Sequence, residues 1–316
     1  MKFCRKFACL GMLGLSVILP ANAQPGTVFY SWSPKPVPLT EWRAPNKPIW
    51  RLSEILAAHK EQKNWTQPIV RDQDYAADYI QMAPGEKTKT QFWADDPVFW
   101  YVASGQIRFI IQGQEPFVAT KGFLVQVPYR TPYSMETVGG EPSVRFEVRH
   151  ANRTPLYPAS GPNDAGPVPT ASGKDYVLAS YRTPPKPYGD AKPYVDFLKD
   201  YVNPATPPKP GDHAFVKDDN NFMNIIRGHG TPTPPDSNKG HFHIDYNEFW
   251  VIAEGKIDYK MEGMKVFTGD VGDIVYAPQG RWHRASWAGD GMSTRIAINP
   301  RPEGMHNFDA GAGAKQ

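Results

Sequence analysis

Apolar residues in this chain of 316 come in short runs, of which Phe99–Val102, Ile107–Ile111, Phe123–Val127 and Val144–Val148 stand out. Glycine, proline and charged pairs separate them. Runs of that length, rich in β-branched and aromatic residues and closed by turn formers, predict strands. The same text returns from His213 to Pro300. Helical spacing is confined to two short places. Leu52, Ile55 and Leu56 predict a helix to His59, with Ser53 as its N-cap. Val195, Phe197, Leu198, Tyr201 and Val202 predict a second.

The two strand-rich halves are copies of one another. A shift of 150 matches Phe92 with Phe242, Phe99 with Phe249, Trp100 with Trp250, Gly105 with Gly255 and Ile107 with Ile257. Without a gap it also matches Gly113 with Gly263, Phe117 with Phe267, Gly122 with Gly272, Pro128 with Pro278 and Arg145 with Arg295. A repeat of that length means two similar domains, not a solenoid of small units.

Composition then sets the boundaries. With 27 glycines and 33 prolines the chain disfavours a helical bundle, and 13% aromatic residues argue against disorder. Residues 24–64 form an arm and short helix, 65–150 the first domain and 213–300 the second. Between them, 151–212 reads as a linker, its first sixty residues carrying 13 prolines; 301–316 is a tail.

The first 23 residues change the charge picture. Lys2, Arg5 and Lys6 precede an apolar run from Phe7 to Pro20 and the small-residue site Ala21-Asn22-Ala23. That is the pattern of a secretory signal peptide cleaved after Ala23, with a run too short to span a membrane. Cleavage removes three basic residues and leaves 32 of each sign, so nothing supports nucleic-acid binding. Cys4 and Cys9 leave with it, which excludes disulfides, thiolate ligands and cysteine nucleophiles. A periplasmic or secreted protein is expected, with no membrane span in its mature form, acting on a small molecule and with homo-oligomerisation open.

The second half carries the chemistry. His241 and His243 are two apart and so share one face of a strand. Glu248 follows a turn at Asp245-Tyr246-Asn247, and His283 follows Pro278-Gln279-Gly280. Three imidazoles and a carboxylate suit one divalent first-row metal: iron, manganese, zinc, copper or nickel. In an octahedral ion, two positions stay open for water, dioxygen or substrate.

These residues closely resemble the two motifs of the cupin superfamily. They read His241-x-His243-x4-Glu248-x6-Gly255 and Gly272-x5-Pro278-x-Gly280-x2-His283. Pro235 and Trp287 depart from the pattern, where glycine and asparagine are often found. The resemblance implies an all-β protein of two tandem antiparallel jelly-roll barrels, with metal inside one end of the second. The first copy has Gln91, Trp93, Val98 and Tyr133 at the ligand positions and is expected to bind no metal there. The whole resembles a bicupin with one live site.

Fold does not determine reaction. Likeness to quercetinase-like bicupins implies a metal-dependent, dioxygenase-like oxidoreductase on a small aromatic or enolic compound or organic acid, with Glu248 as catalytic proton acceptor. A metal-dependent lyase or decarboxylase of a small carboxylate is the alternative, and a non-catalytic metal- or ligand-binding module the third. Tyr259, Tyr276, Trp282 and Arg295 are candidates for the substrate pocket. Each also has a packing reading, and Arg145 in the first copy favours it for Arg295. Trp250 and Trp100 are expected in the barrel cores. His59, His150, His213, His229 and His306 have no pairing pattern, and Asp218-Asp219-Asn220-Asn221 reads as a hairpin turn.

Overall fold

The computed structural model describes residues 28–29, 38–159, 178–202, 211–230 and 240–300. The signal segment and its cysteines, Pro235 and His306 lie outside them, as does the side chain of His213. Each half is a pair of facing antiparallel sheets. In the first, strands Tyr194–Asp196, Phe123–Val127, Val98–Ser104, Ser143–His150, Tyr75–Met82 and Trp65–Arg71 lie in that order. Opposite them are Phe117–Thr120, Gln106–Ile111 and Tyr133–Val138.

The second half repeats the plan. Gly211–Lys217, Phe222–Gly228, Ser293–Asn299, Glu248–Glu254, Ile274–Ala277 and Ile49–Trp50 form the large sheet. Phe267–Gly269, Ile257–Met261 and His283–Trp287 form the small one. The two outermost strands are exchanged. Ile49–Trp50 precedes the first domain yet pairs with Ile274 and Val275 of the second. Tyr194–Asp196 precedes the second yet pairs with Phe123–Val125 of the first.

Side-chain parity explains why the central strands read as unbroken apolar runs. Trp100 and Val102 point into the first barrel, Trp250 and Ile252 into the second. Their alternates Phe99, Tyr101, Phe249 and Val251 form a third core between the domains, where the two large sheets meet. A strand buried on both faces has no reason to alternate. Tyr75 bridges the domains: its ring meets that of Phe249 edge-on at 5.7 Å, and its hydroxyl donates to the Asn299 carbonyl at 3.0 Å.

The helical segments differ from expectation. The first runs Leu52–Ala58 from Arg51, with no side-chain cap of its own. Ser53 is therefore not the cap; Asp273 of the second domain accepts from Leu52 N at 3.0 Å and from Arg51 Nη1 at 2.9 Å. The second segment is a strand followed by one π-helical turn, Leu198–Val202. Both dock on a glycine. A Cβ at Gly272 would run into Leu52, and one at Gly122 would lie 2.8 Å from Leu198. No helix among the described residues is long and apolar enough to cross a membrane.

Candidate metal centre

Two motifs far apart in sequence are stitched together by the backbone. His241 N donates to the His283 carbonyl at 2.9 Å, and His283 N returns a bond to the His241 carbonyl at 2.8 Å. Gly280 N donates to the His243 carbonyl at 2.7 Å, and Gln279 N to Asn247 Oδ1 at 2.8 Å. The Pro278-Gln279-Gly280 turn thus docks onto the loop after His243. Gly240, at φ +79°, completes the junction, because a Cβ there would collide with the Trp282 ring and the His283 carbonyl.

The four predicted ligands converge. One donor atom from each of His241, His243, Glu248 and His283 lies within 4.8 Å of all the others. Glu248 Oε2 is 3.0 Å from His243 Nε2, 3.3 Å from His283 Nε2 and 4.0 Å from His241 Nε2. His243, Glu248 and His283 are buried, while His241 is partly open to solvent. Burial alone would raise the Glu248 pKa, but hydrogen bonds and positive charge from His243 and His283 outweigh it and hold the carboxyl well below its ordinary value. Desolvation lowers the His283 pKa, partly opposed by Glu248. Both shifts favour the forms that bind metal, a carboxylate and an uncharged imidazole. His283 Nδ1 meets the Arg281 carbonyl at 3.0 Å; a carbonyl only accepts, so Nδ1 carries the proton and Nε2 keeps its lone pair for the centre.

An ionised carboxylate with three imidazoles is a donor set that fits one divalent transition metal and leaves positions open. The corresponding place in the first domain is a hydrogen-bonded plug. Gln91 and Tyr133 are bridged through their backbones as His241 and His283 are. The Tyr133 hydroxyl accepts from Gln91 Nε2 and from Trp93 Nε1, both at 3.0 Å. Side-chain amide, indole and phenol replace the metal-binding groups.

The family comparison bears on the second domain: residues 231–298 match the family model described as a cupin domain. The second domain is a cupin. Among solved structures, a cupin 2 conserved barrel domain protein from Leptotrichia buccalis superposes with TM-score 0.53 at 12% identity, over 80% of this chain and 96% of that one. A point mutant of salicylate 1,2-dioxygenase from Pseudoaminobacter salicylatoxidans superposes with TM-score 0.55 at 10% identity, over 80% and 83%. At such identities the likeness is one of fold, and it extends over both halves. No curated protein matches the chain in sequence.

The pocket candidates separate. Tyr259 is fully buried in the cupin core, its ring 5.4 Å from that of Trp250, and its hydroxyl has no hydrogen-bond partner among the described residues. Trp250 meets His283 edge-on at 5.1 Å. Arg295 shares the interior face of its strand with Ala297 and lies over the Trp287 ring at 5.3 Å. Trp282 packs beside Gly240. Tyr276 is on the other face: it belongs to the core between the domains, and its hydroxyl donates to Asp72 Oδ2 at 3.1 Å. It does not line the barrel. Of the other histidines with described side chains, His59 stacks on Trp65, His150 bonds Asn221, and His229 is exposed.

Two residues at the centre carry no signal in the motifs. Arg281 is buried, donating to the Glu262 carbonyl at 2.6 Å and the Thr40 carbonyl at 2.5 Å, with its guanidinium 3.7 Å from the Trp42 ring. Glu262 accepts from Trp282 N at 3.1 Å. Together they tie the N-terminal arm to the turn that carries His283. Only the non-repetition of Arg281, whose counterpart is Thr131, could have marked it.

Proposed function

We propose that the cupin domain holds one divalent transition-metal ion on His241, His243, Glu248 and His283, and that the protein is an exported, metal-dependent oxidoreductase of dioxygenase type. Its substrate in this reading is a small aromatic or enolic compound or organic acid. The observation that carries it is the convergence of four donor atoms within 4.8 Å, with three of the residues buried and the tautomer of one set by a carbonyl. A bound ion supplies Lewis acidity and open coordination positions at that point. Glu248, ionised and buried, is the group that accepts a proton from the substrate. Trp250 and Tyr259 shape an apolar interior that excludes water.

Metal analysis of protein recovered from the exporting host's periplasm or medium tests this, paired with oxygen uptake over a panel of phenolic, enolic and carboxylate compounds. One ion per chain is expected, lost in a His241→Ala, His283→Ala variant. Two ions per chain would sink the single-site reading. Turnover of a carboxylate without oxygen uptake would replace oxidation with decarboxylation.

A further inference from the structure

The two domains reach toward each other through matching hairpin turns, and the two contacts differ. In the first domain the turn Asp72-Gln73-Asp74-Tyr75 links Trp65–Arg71 to Tyr75–Met82, with Asp72 N donating to the Tyr75 carbonyl at 3.0 Å. In the second, Asp218-Asp219-Asn220-Asn221 links Gly211–Lys217 to Phe222–Gly228, with Asp218 N donating to the Asn221 carbonyl at 3.0 Å. Each turn faces the loop before the central strand of the other domain. On the side of the second turn, Asn220 and Asp96 border a cavity of about 240 Å³. Pro97, just before Val98, brings no side-chain donor or acceptor to it. On the side of the first turn the contact is made. Offset by 150, Pro97 becomes Asn247, which is buried and directly precedes Glu248.

A relay of hydrogen bonds runs through that asparagine in one direction. Gln279 N donates to Asn247 Oδ1 at 2.8 Å, and Asn247 Nδ2 donates to Gln73 Oε1 at 3.1 Å. Gln73 Nε2 in turn donates to Asp74 Oδ2 at 3.1 Å. A backbone N–H only donates and an ionised carboxylate only accepts, so the two ends fix the orientation of both amides between them. Donors aimed along one chain at an anion strengthen one another. The relay starts on the turn that leads to His283 and passes through the neighbour of Glu248. Candidate ligands from two separate motifs are thus tied to one side chain, and that side chain to the other domain.

We propose that Asn247 is a positioning residue for the metal centre and that Gln73 of the metal-less domain holds it in place. The first barrel, without ligands of its own, then serves the second as a buttress that sets the spacing of Glu248 and His283. This rests on the metal reading for its consequence, and not for the contact itself.

Gln73→Met removes the acceptor for Asn247 at an exposed position, and Asn247→Ala removes the junction. Both should speed amide hydrogen exchange at Gln279 in metal-free protein. Both should also lower zinc affinity about tenfold or more by chelator competition, and shift the visible absorption of the cobalt(II) form, which reads ligand geometry. Because they act through one contact, the two together should lose no more affinity than Asn247→Ala alone. The paired exchange Gln73→Glu, Asp74→Asn reverses the bond between 73 and 74 and keeps an acceptor for Asn247, so it should restore all three readings. Asn220→Ala, at the open contact, should leave them at wild-type values. A Gln73→Met variant that exchanges Gln279 as slowly as wild type overturns the proposal. So does one that exchanges it faster while zinc affinity and the cobalt spectrum stay unchanged. Wild type that takes up neither ion would sink the metal reading instead, and the contact between the domains is then judged on Gln279 exchange alone.

Discussion

The carbonyl of Arg281 holds Nδ1 of His283 at 3.0 Å, while the Arg281 side chain is clamped by Thr40, Glu262 and Trp42. One residue thus fixes a candidate metal ligand with its backbone and the N-terminal arm with its guanidinium. Arg281→Met keeps the stack on Trp42 and removes both hydrogen bonds, releasing the turn that aims the imidazole. Partners of this kind are worth about 10–100-fold in metal affinity. Competition with a chromophoric chelator should show a loss of that size with the far-UV spectrum preserved, and a smaller loss for Arg281→Lys. Unchanged affinity in both would mean that the backbone bridge between His241 and His283 suffices.

Metal should act as a folding ligand. The four donors are brought together by bonds that exist only in the folded chain, so an ion that binds them stabilises that state by mass action. At a free concentration one hundred times Kd the gain is about 2.7 kcal/mol. Calorimetric melting with and without zinc should show an upward shift of several degrees in wild type. The His241→Ala, His283→Ala variant should melt at one temperature in both conditions.

The convergence of the four candidate ligands was legible because coordination demands particular atoms at particular spacings, and two short motifs carry all four. The repeat made the first barrel legible too, down to the Gln91, Trp93 and Tyr133 cluster. What escaped was set by pairing between distant segments. Ser53 looked like a cap, yet the cap is Asp273, more than two hundred residues away. Tyr276 looked like a pocket residue until its register opposite Phe249, and not opposite Glu248, put it on the outer face. The exchange of Ile49–Trp50 onto the second sheet has no local signature at all. Runs such as Phe99–Val102 did carry a hint of the core between the domains, in their failure to alternate.

That shared core should make the two domains unfold together. Phe249 is fully buried there against Tyr75, Phe146 and Tyr276, with ring centroids 5.7, 6.3 and 6.5 Å away. Removing a buried phenylalanine costs about 3–5 kcal/mol. Phe249→Ala should lower the urea midpoint of the whole protein, with tryptophan fluorescence and far-UV dichroism still tracing one transition. Two separated transitions in wild type would mean that each barrel stands alone.

Asp72 gives the same interface a dependence on pH. Its Oδ1 accepts from Tyr75 N at 2.7 Å and Asp74 N at 2.9 Å, and its Oδ2 from the Tyr276 hydroxyl at 3.1 Å. Burial raises its pKa above the ordinary 3.8, and those hydrogen bonds only partly oppose the rise. The folded state then holds the proton more firmly than the unfolded chain does. Its contribution to stability is complete below pH 3.8 and is lost as pH rises through the displaced value. Asp72→Asn keeps the Oδ1 acceptor and offers an amide to the Tyr276 oxygen, so it removes this titration and little else. Urea unfolding across the acidic range should show wild-type stability minus that of Asp72→Asn falling as pH rises, then levelling. A difference that grows with pH would mean that the hydrogen bonds to Asp72, including one from Asn247, overcome the cost of burying the charge.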